Sequence, residues 1–425
     1  MYSINENKQR RGIMQIKISD NLRSLADKFP CELYLVGGYI RNQLMNICND
    51  DMDICSKLTL DEVENLLKNS KFSMKVKSKT LGTARIFCDS ETYEYTTFRK
   101  EVYPNNGQHS PQEVVFIDDI REDAKRRDFT CNAIYYDIKN DRIIDFYDGI
   151  GDIKNRILKT VETPDYVLCH DGVRILRLFR FQCELNFKID KKTLQGVIKY
   201  RNNLRDISGE RMCYEIERIL HSQNKYEGVT KKNSYLRTLK YFNKTSLWPY
   251  FGIDCPKIKF NMVKKVEHKS QGFLIDVIDT VNPISISYYL NLLLSNSFGL
   301  SKKMVENYIN ILSGYYEALN RVQNKPFFMK YFNNFPQIYL LLIHKSKYLA
   351  NKYEFFYKYI IAHKLVVSVK DLQINGDDIK QYYPEVKASR YKPVLESLLS
   401  DVFDGKINNE KNELIQNIQE KIKYL

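Results

Sequence analysis

An α+β fold is predicted for this chain from a change of periodicity part-way along it and from the spread of its turn residues. Between residues 32 and 160, short runs alternate apolar and polar residues, the pattern of half-buried strands, with Gly, Asn and Pro clusters between them. From about Thr163 onward the alternation disappears and nearly everything repeats at helical spacing. These observations predict an N-terminal head, residues 14–160, with a mixed sheet and helices, followed by all-α segments. Those segments are a neck (161–225), a body (226–300) and a tail (301–425). Residues 1–13 are polar and charged and read as a flexible extension.

The 425 residues suffice for two to four domains and a substantial core. A net charge of +14 fits a polyanionic partner such as nucleic acid, and follows equally from a lysine-rich composition in which Asn, Ile and Tyr also abound. Nine cysteines show no CxxC pair and no Cys/His cluster, so they read as reduced thiols in a cytoplasmic protein. Cys48 and Cys55 read as packing residues. No apolar run approaches the 18 residues of a membrane span.

In chain order, residues 15–30 carry a helix on Ile16, Ile18, Leu22, Leu25 and Phe29. ELYLV then reads as a buried strand, broken by Gly37-Gly38, after which YIRNQLMNI restarts as a helix. A second strand, Met52 to Cys55, holds Asp53, with Asp51 two residues earlier. In a strand both side chains project to one face. Two carboxylates beside a glycine turn at a helix start are suited to a triphosphate and its magnesium ions: backbone N–H groups take phosphate oxygens, and carboxylates hold hard cations. Thr59 with Glu62 forms a capping-box sequence. SMKVKS, TARIFCD and TYEYTTFRK follow as strands, and then a Pro- and Asn-rich loop at residues 104–111. Glu94, on the last of these strands, reads equally as a third active-site carboxylate or as a half-exposed strand residue.

RRDFTCNA (126–133), followed by DFYDGIGDI (145–153), is the most specific stretch. Arg127 is the candidate for neutralising a triphosphate. Asp128 and Asn132 are expected to position that arginine or the neighbouring backbone, and Asp145 and Asp148 to serve as caps and turns. In HDGVRILRLFRFQCEL (170–185), Asp171 and Arg174 stand three apart and are expected on one helical face, with Arg177 and Arg180 continuing the interval. SGERMCYEIERIL begins a further helix at Ser208, with Glu210, Arg211 and Glu217 expected in structural ion pairs. Trp248 is expected in the core. The Lys- and Tyr-rich tail suits a phosphate-tracking surface and, equally, plain amphipathic helices.

With GGYIRN, DMD, RRDFTCNA and HDGVR in place, most of the chain resembles the class II tRNA nucleotidyltransferases (CCA-adding enzymes) and bacterial poly(A) polymerases, most strongly over residues 33–220. Three positions depart from the family pattern: Asn42 replaces its Asp, Gln108 its loop arginine, and His170 the Glu of EDxxR. The resemblance implies addition of CCA to the 3′ end of tRNA from CTP and ATP. Poly(A) polymerase activity, partial CC- or A-addition, and a non-catalytic RNA-binding protein are the alternatives. It further implies Asp51 and Asp53 as catalytic ligands of Mg²⁺. Gly37, Gly38, Arg41 and Arg127 would hold the triphosphate, and Asp171, Arg174, Arg177 and Arg180 the base. The loop at 104–111 would help change nucleotide choice. The implied partners are tRNA, ATP and CTP, with no membrane and no stable protein partner.

Overall fold

The computed structural model describes residues 16–48, 51–103, 111–222, 225–226, 228–283, 285–320 and 324–424. The expected extension at 1–13, and the loop positions 104–110 with Gln108, lie outside the described residues. The chain divides into two compact units. One reaches Ile258 and takes in Asn296–Leu300; the other comprises Lys259–Ser295 and Ser301–Leu425.

The first unit opens with α1 (Asp20–Lys28), capped by the Ser19 hydroxyl, which accepts from Leu22 N. Strand β1 (Tyr34–Val36) leads through Gly37 into α2 (Gly38–Leu44), and β2 (Met52–Ser56) into α3 (Leu60–Leu67). The capping box read at Thr59 is present: its side chain accepts from Glu62 N, and the Glu62 carboxylate reaches back to Thr59 N. Strands β3 (Ser73–Ser78), β4 (Thr83–Cys88) and β5 (Glu91–Thr97) then form a meander. Strands β6 (Arg99–Val102) and β7 (Glu113–Phe116) pair only with each other, as a ribbon apart from the main sheet. After α4 (Ile120–Lys125), β8 (Ile134–Asp137) and β9 (Arg142–Asp145) finish a seven-stranded sheet of order β3-β4-β5-β2-β1-β8-β9.

Strand β2 sits inside that sheet, antiparallel to β1 and parallel to β5. Its register sets Asp53 beside Val36 on one side and Glu94 on the other. On one face of the sheet Tyr34, Val36, Cys55 and Tyr135 pack against Ala124 of α4 and Phe98. Helix α5 (Gly149–Asn155) is capped by Asp145, whose carboxylate accepts from Gly149 and Ile150 N–H. Two short helices follow, α6 (Pro164–His170) and α7 (Val173–Leu185), then α8 (Lys191–Tyr200), α9 (Gly209–Leu220) and α10 (Ser234–Thr245). Trp248 is fully buried among Phe242 and Phe251. All nine cysteines are free; Cys55 is buried and Cys48 exposed.

The second unit is helical throughout its described residues. Its short α11 (Met262–Lys265) is held at both ends by side chains around α12 (Lys269–Val281). The Asp276 carboxylate accepts from the N–H groups of Asn261, Met262 and Val263, and Lys269 Nζ donates to the carbonyls of Val263 and Val266. Toward the C-terminus, Leu372, Ile379, Val394, Leu398, Leu414 and Ile418 form a separate apolar core. Among the described residues no helix is long and apolar enough to cross a membrane.

Candidate active site

Gly37 organises the site because no other residue suits its backbone. Its φ of 79° and ψ of −130° are open essentially to glycine alone. Asp53 and Arg127 face this turn: a Cβ built at Gly37 would meet them in ordinary contact, 3.7 Å from Asp53 Oδ2 and 3.8 Å from Arg127 Nη1. One carboxylate and one guanidinium, brought from β2 and from the end of α4, thus converge on the turn between β1 and α2.

Asp53 is exposed to water on β2, with Asp51 just ahead of the strand. Although its edge is open to water, the protein atoms crowded around the Asp53 carboxyl desolvate it and push it up to about 6. The Arg127 cation opposes this, and the negative charges of Glu94 and Asp51 add to it. A carboxylate crowded by other carboxylates favours a bound cation. Glu94 lies beside Asp53 in register, but Lys77 and Arg85 grip it at 2.5 and 2.7 Å. Burial raises its pKa, and the hydrogen bonds from those two cations outweigh that and hold it below the ordinary range. Among the described residues, no group of three or more His, Cys, Asp or Glu side chains forms a metal-sized cluster. Two aspartate carboxylates are hard oxygen donors that suit a divalent cation whose other positions go to phosphate and water.

Arg127 is aimed by residues that local sequence patterns did not single out. Its Nε donates to the Tyr135 hydroxyl at 2.8 Å and its Nη2 to Asp123 Oδ2 at 3.2 Å. Asp123 is fully buried and also accepts from Arg126 Nε and the Tyr135 hydroxyl. Burial alone would raise its pKa; the Arg126 and Arg127 charges overcome that and hold it at about 2.

Asp128 holds the neighbouring backbone, as expected, its Oδ1 accepting from Phe129 N at 2.8 Å, but the arginines that Asp128 and Asn132 contact are Arg177 and Arg41, not Arg127. Asp128 Oδ2 accepts from Arg177 Nε and Nη2 at 2.8 and 2.6 Å, and Asp128 Oδ1 accepts from Asn132 Nδ2. Asn132 Oδ1 in turn accepts from Arg41 Nη1 at 2.5 Å. A hydrogen-bonded relay therefore runs from Arg41 on α2 to Arg177 on α7. Desolvation of Asp128 is outweighed by the Arg177 charge, and its carboxyl sits at about 2.

Two arginines expected at the nucleotide are enclosed by the protein instead. Arg41 is only 2% exposed and donates to Asn42 Oδ1 as well as to Asn132. Arg180 is equally buried, with Nε on Glu215 Oε2 at 2.6 Å and Nη1 on Glu184 Oε2 at 3.0 Å, tying α7 to α9. These two guanidinium groups and that of Arg177 surround the ring of Phe181 at 4.2–5.3 Å, a cation–π centre that the sequence reading missed. The neck ion pairs likewise run through Glu184 and Glu215, and Glu217 pairs with His221.

Asp171 is not on the same helix as Arg174, contrary to expectation. It ends α6 with extended backbone (φ −145°), and the Asp-Gly step separates the two helices. The pair still meets: Asp171 Oδ2 lies 3.6 Å from Arg174 Nε while Oδ1 accepts from Val173 N. Arg174 donates from Nη2 to the Arg126 carbonyl at 2.8 Å and from Nη1 to that of Val167 at 3.4 Å. His170 packs on Tyr103 and Tyr166 and bonds through Nδ1 to the Tyr166 carbonyl.

Residues 33–159 match the family model described as the Poly A polymerase head domain. Residues 186–231 match one described as the probable RNA and SrmB-binding site of polymerase A. The chain is 31% identical over 401 residues to the CCA-adding enzyme of Staphylococcus haemolyticus, covering 92% of this chain and 94% of that one. It is 29% identical over 403 residues, with the same coverage, to the CCA-adding enzyme of Staphylococcus aureus. Its fold resembles the Bacillus stearothermophilus CCA-adding enzyme solved with CTP (TM-score 0.68, 21% identity, 95% and 97% of the two chains). It also resembles the Thermotoga maritima CCA-adding enzyme complexed with tRNA (TM-score 0.55, 19% identity, 96% and 97%).

Proposed function

The chain belongs to the family of CCA-adding enzymes, and we propose that the site around Gly37 and Asp53 carries its chemistry. The enzyme adds C, C and A to the 3′ end of tRNA without a nucleic-acid template, taking CTP and ATP and releasing pyrophosphate. The 3′ oxygen of tRNA attacks the α-phosphorus, the bond to the β-phosphate breaks, and the hydroxyl proton is lost. Poly(A) synthesis and partial addition are not favoured, since the curated relatives named above are CCA-adding enzymes.

Asp51 and Asp53 would hold the divalent cation that the family uses, proposed here to be Mg²⁺. When bound, such an ion acidifies the attacking hydroxyl and neutralises the leaving phosphates. Arg127, fixed by Asp123 and Tyr135, presents Nη1 to the triphosphate beside the Gly37–Gly38 turn. Glu94, engaged by Lys77 and Arg85, stays a charged neighbour whose field acts on Asp53 rather than a further ligand. Arg41 and Arg180 support the site from inside, holding α2 and α7 in place.

Asp171 and Arg174 read the base, with Arg177 beside them. Cytosine and adenine each offer an amino donor next to a ring-nitrogen acceptor, so a carboxylate and a guanidinium pair with both. Uracil and guanine reverse that order and leave both protein groups mispaired. The helical tail, 301–425, would bind tRNA through its basic surface. With this goes a cytoplasmic location, in keeping with nine unpaired thiols.

The observation that carries the proposal is the convergence of Asp53 Oδ2 and Arg127 Nη1 on Gly37. Asp53→Ala is expected to abolish nucleotide addition while tRNA affinity, measured by filter binding, stays within about twofold. Retained turnover would overturn the metal assignment.

A further inference from the structure

We propose that Tyr103 is a specificity-determining positioning residue: it fixes the direction in which Arg174 presents its donors to the base. This rests on the assignment of Arg174 as a base reader. A cavity of about 320 Å³ is bounded by Glu101, Tyr103, Arg126, Tyr166, His170 and Arg174. Tyr103 touches Arg174 by two routes. Directly, Arg174 Cζ lies 6.0 Å from the centre of its ring, at cation–π range. Indirectly, the Tyr103 hydroxyl donates to Glu101 Oε2 at 2.6 Å, and Glu101 pairs with Arg126 at 3.6 Å. The Arg126 carbonyl then accepts from Arg174 Nη2 at 2.8 Å. The circuit closes on itself, and His170, 5.7 Å from Tyr103 between the rings, buttresses it.

Closure matters because the discrimination described above depends on a rigid reader. A guanidinium that cannot turn leaves a donor facing a donor when uracil enters, and the wrong base is rejected at full cost. A guanidinium free to swing can re-aim toward water or toward the uracil carbonyl, and the penalty shrinks. The side chain of Arg174 is 9% exposed, and two of its N–H groups are pinned to backbone carbonyls. The Tyr103 ring faces it across the cavity, at the outer limit of cation–π range.

The test measures kcat and KM for CTP and for UTP separately, using the full-length chain and a tRNA transcript ending at the discriminator base. Thermal melting monitors the fold. Tyr103→Leu is expected to lower the CTP-over-UTP ratio of kcat/KM by about tenfold, chiefly by raising kcat/KM for UTP. Tyr103→Phe keeps the ring and loses only the hydroxyl link. It is expected to lower the ratio by about threefold, and it decides the matter alone if the leucine variant does not fold. An unchanged ratio, or an equal loss of kcat on both nucleotides, would overturn the proposal. Arg174→Lys separates the two levels. If it too leaves the ratio unchanged, the base-reader assignment falls and takes the proposal with it. If it collapses the ratio while both Tyr103 variants keep it, only the role of Tyr103 falls.

Discussion

Asn42 shows how a single side chain can be tuned for place rather than for pairing. Its Oδ1 accepts two bonds from Arg41, yet its Nδ2 is buried with no hydrogen-bond partner among the described residues. An unmet buried donor costs about 1–3 kcal/mol. Asn42→Asp would replace that donor with a second oxygen and set a carboxylate against the buried Arg41 guanidinium. The variant is expected to be more stable by about 1 kcal/mol in urea unfolding; a loss of stability would show that the amide is preferred as it stands. Asp123 and Asp128 set the acid limit. Their carboxyls sit at about 2 in the fold against an ordinary 3.8, so each contributes stability that is full above about pH 4. That contribution, roughly 2 kcal/mol each, drains away as pH falls from 4 towards 2. Asp123→Asn, followed by urea unfolding at several pH values, should flatten that slope; an unchanged slope would contradict the assignment.

At the scale of elements, much was legible because it is local. The strands at Tyr34–Val36 and Met52–Ser56, the Gly37 break and the Thr59 capping box all follow from neighbouring residues. The order of the strands does not: β2 lies between β1 and β5, a pairing across some 40 residues that no alternation pattern specifies. The same limit hid the fate of Arg41 and Arg180, whose partners Asn132 and Glu215 are 91 and 35 residues distant. The break at Asp171 is legible in the sequence: an Asp-Gly step is a helix-breaking signal, and the two helices part there. In the second unit, α11 spans four residues and has no stability of its own. Asp276→Ala leaves three of its N–H groups without their acceptor and should cost about 2–3 kcal/mol in chemical denaturation. A cost below about 0.5 kcal/mol would mean that water replaces the carboxylate.

Over the whole molecule, labour is divided within the first unit. Strand β2 carries Asp53, the end of α4 carries Arg127, and α7 with the Asp171 turn carries the groups proposed to read the base. The relay Arg41–Asn132–Asp128–Arg177 joins these parts with buried polar bonds rather than apolar contact alone. Such a linkage fixes direction as well as distance, which a template made of side chains requires. The positive charge of the chain, ambiguous as composition, fits its tRNA substrate. The most direct test of the account supplies a tRNA transcript ending at the discriminator base with Mg²⁺ and CTP, ATP or both, and resolves products to single nucleotides. With both nucleotides, addition is expected to stop after three residues, with CTP alone yielding no complete end; a lengthening ladder of A residues, or no addition, would contradict it.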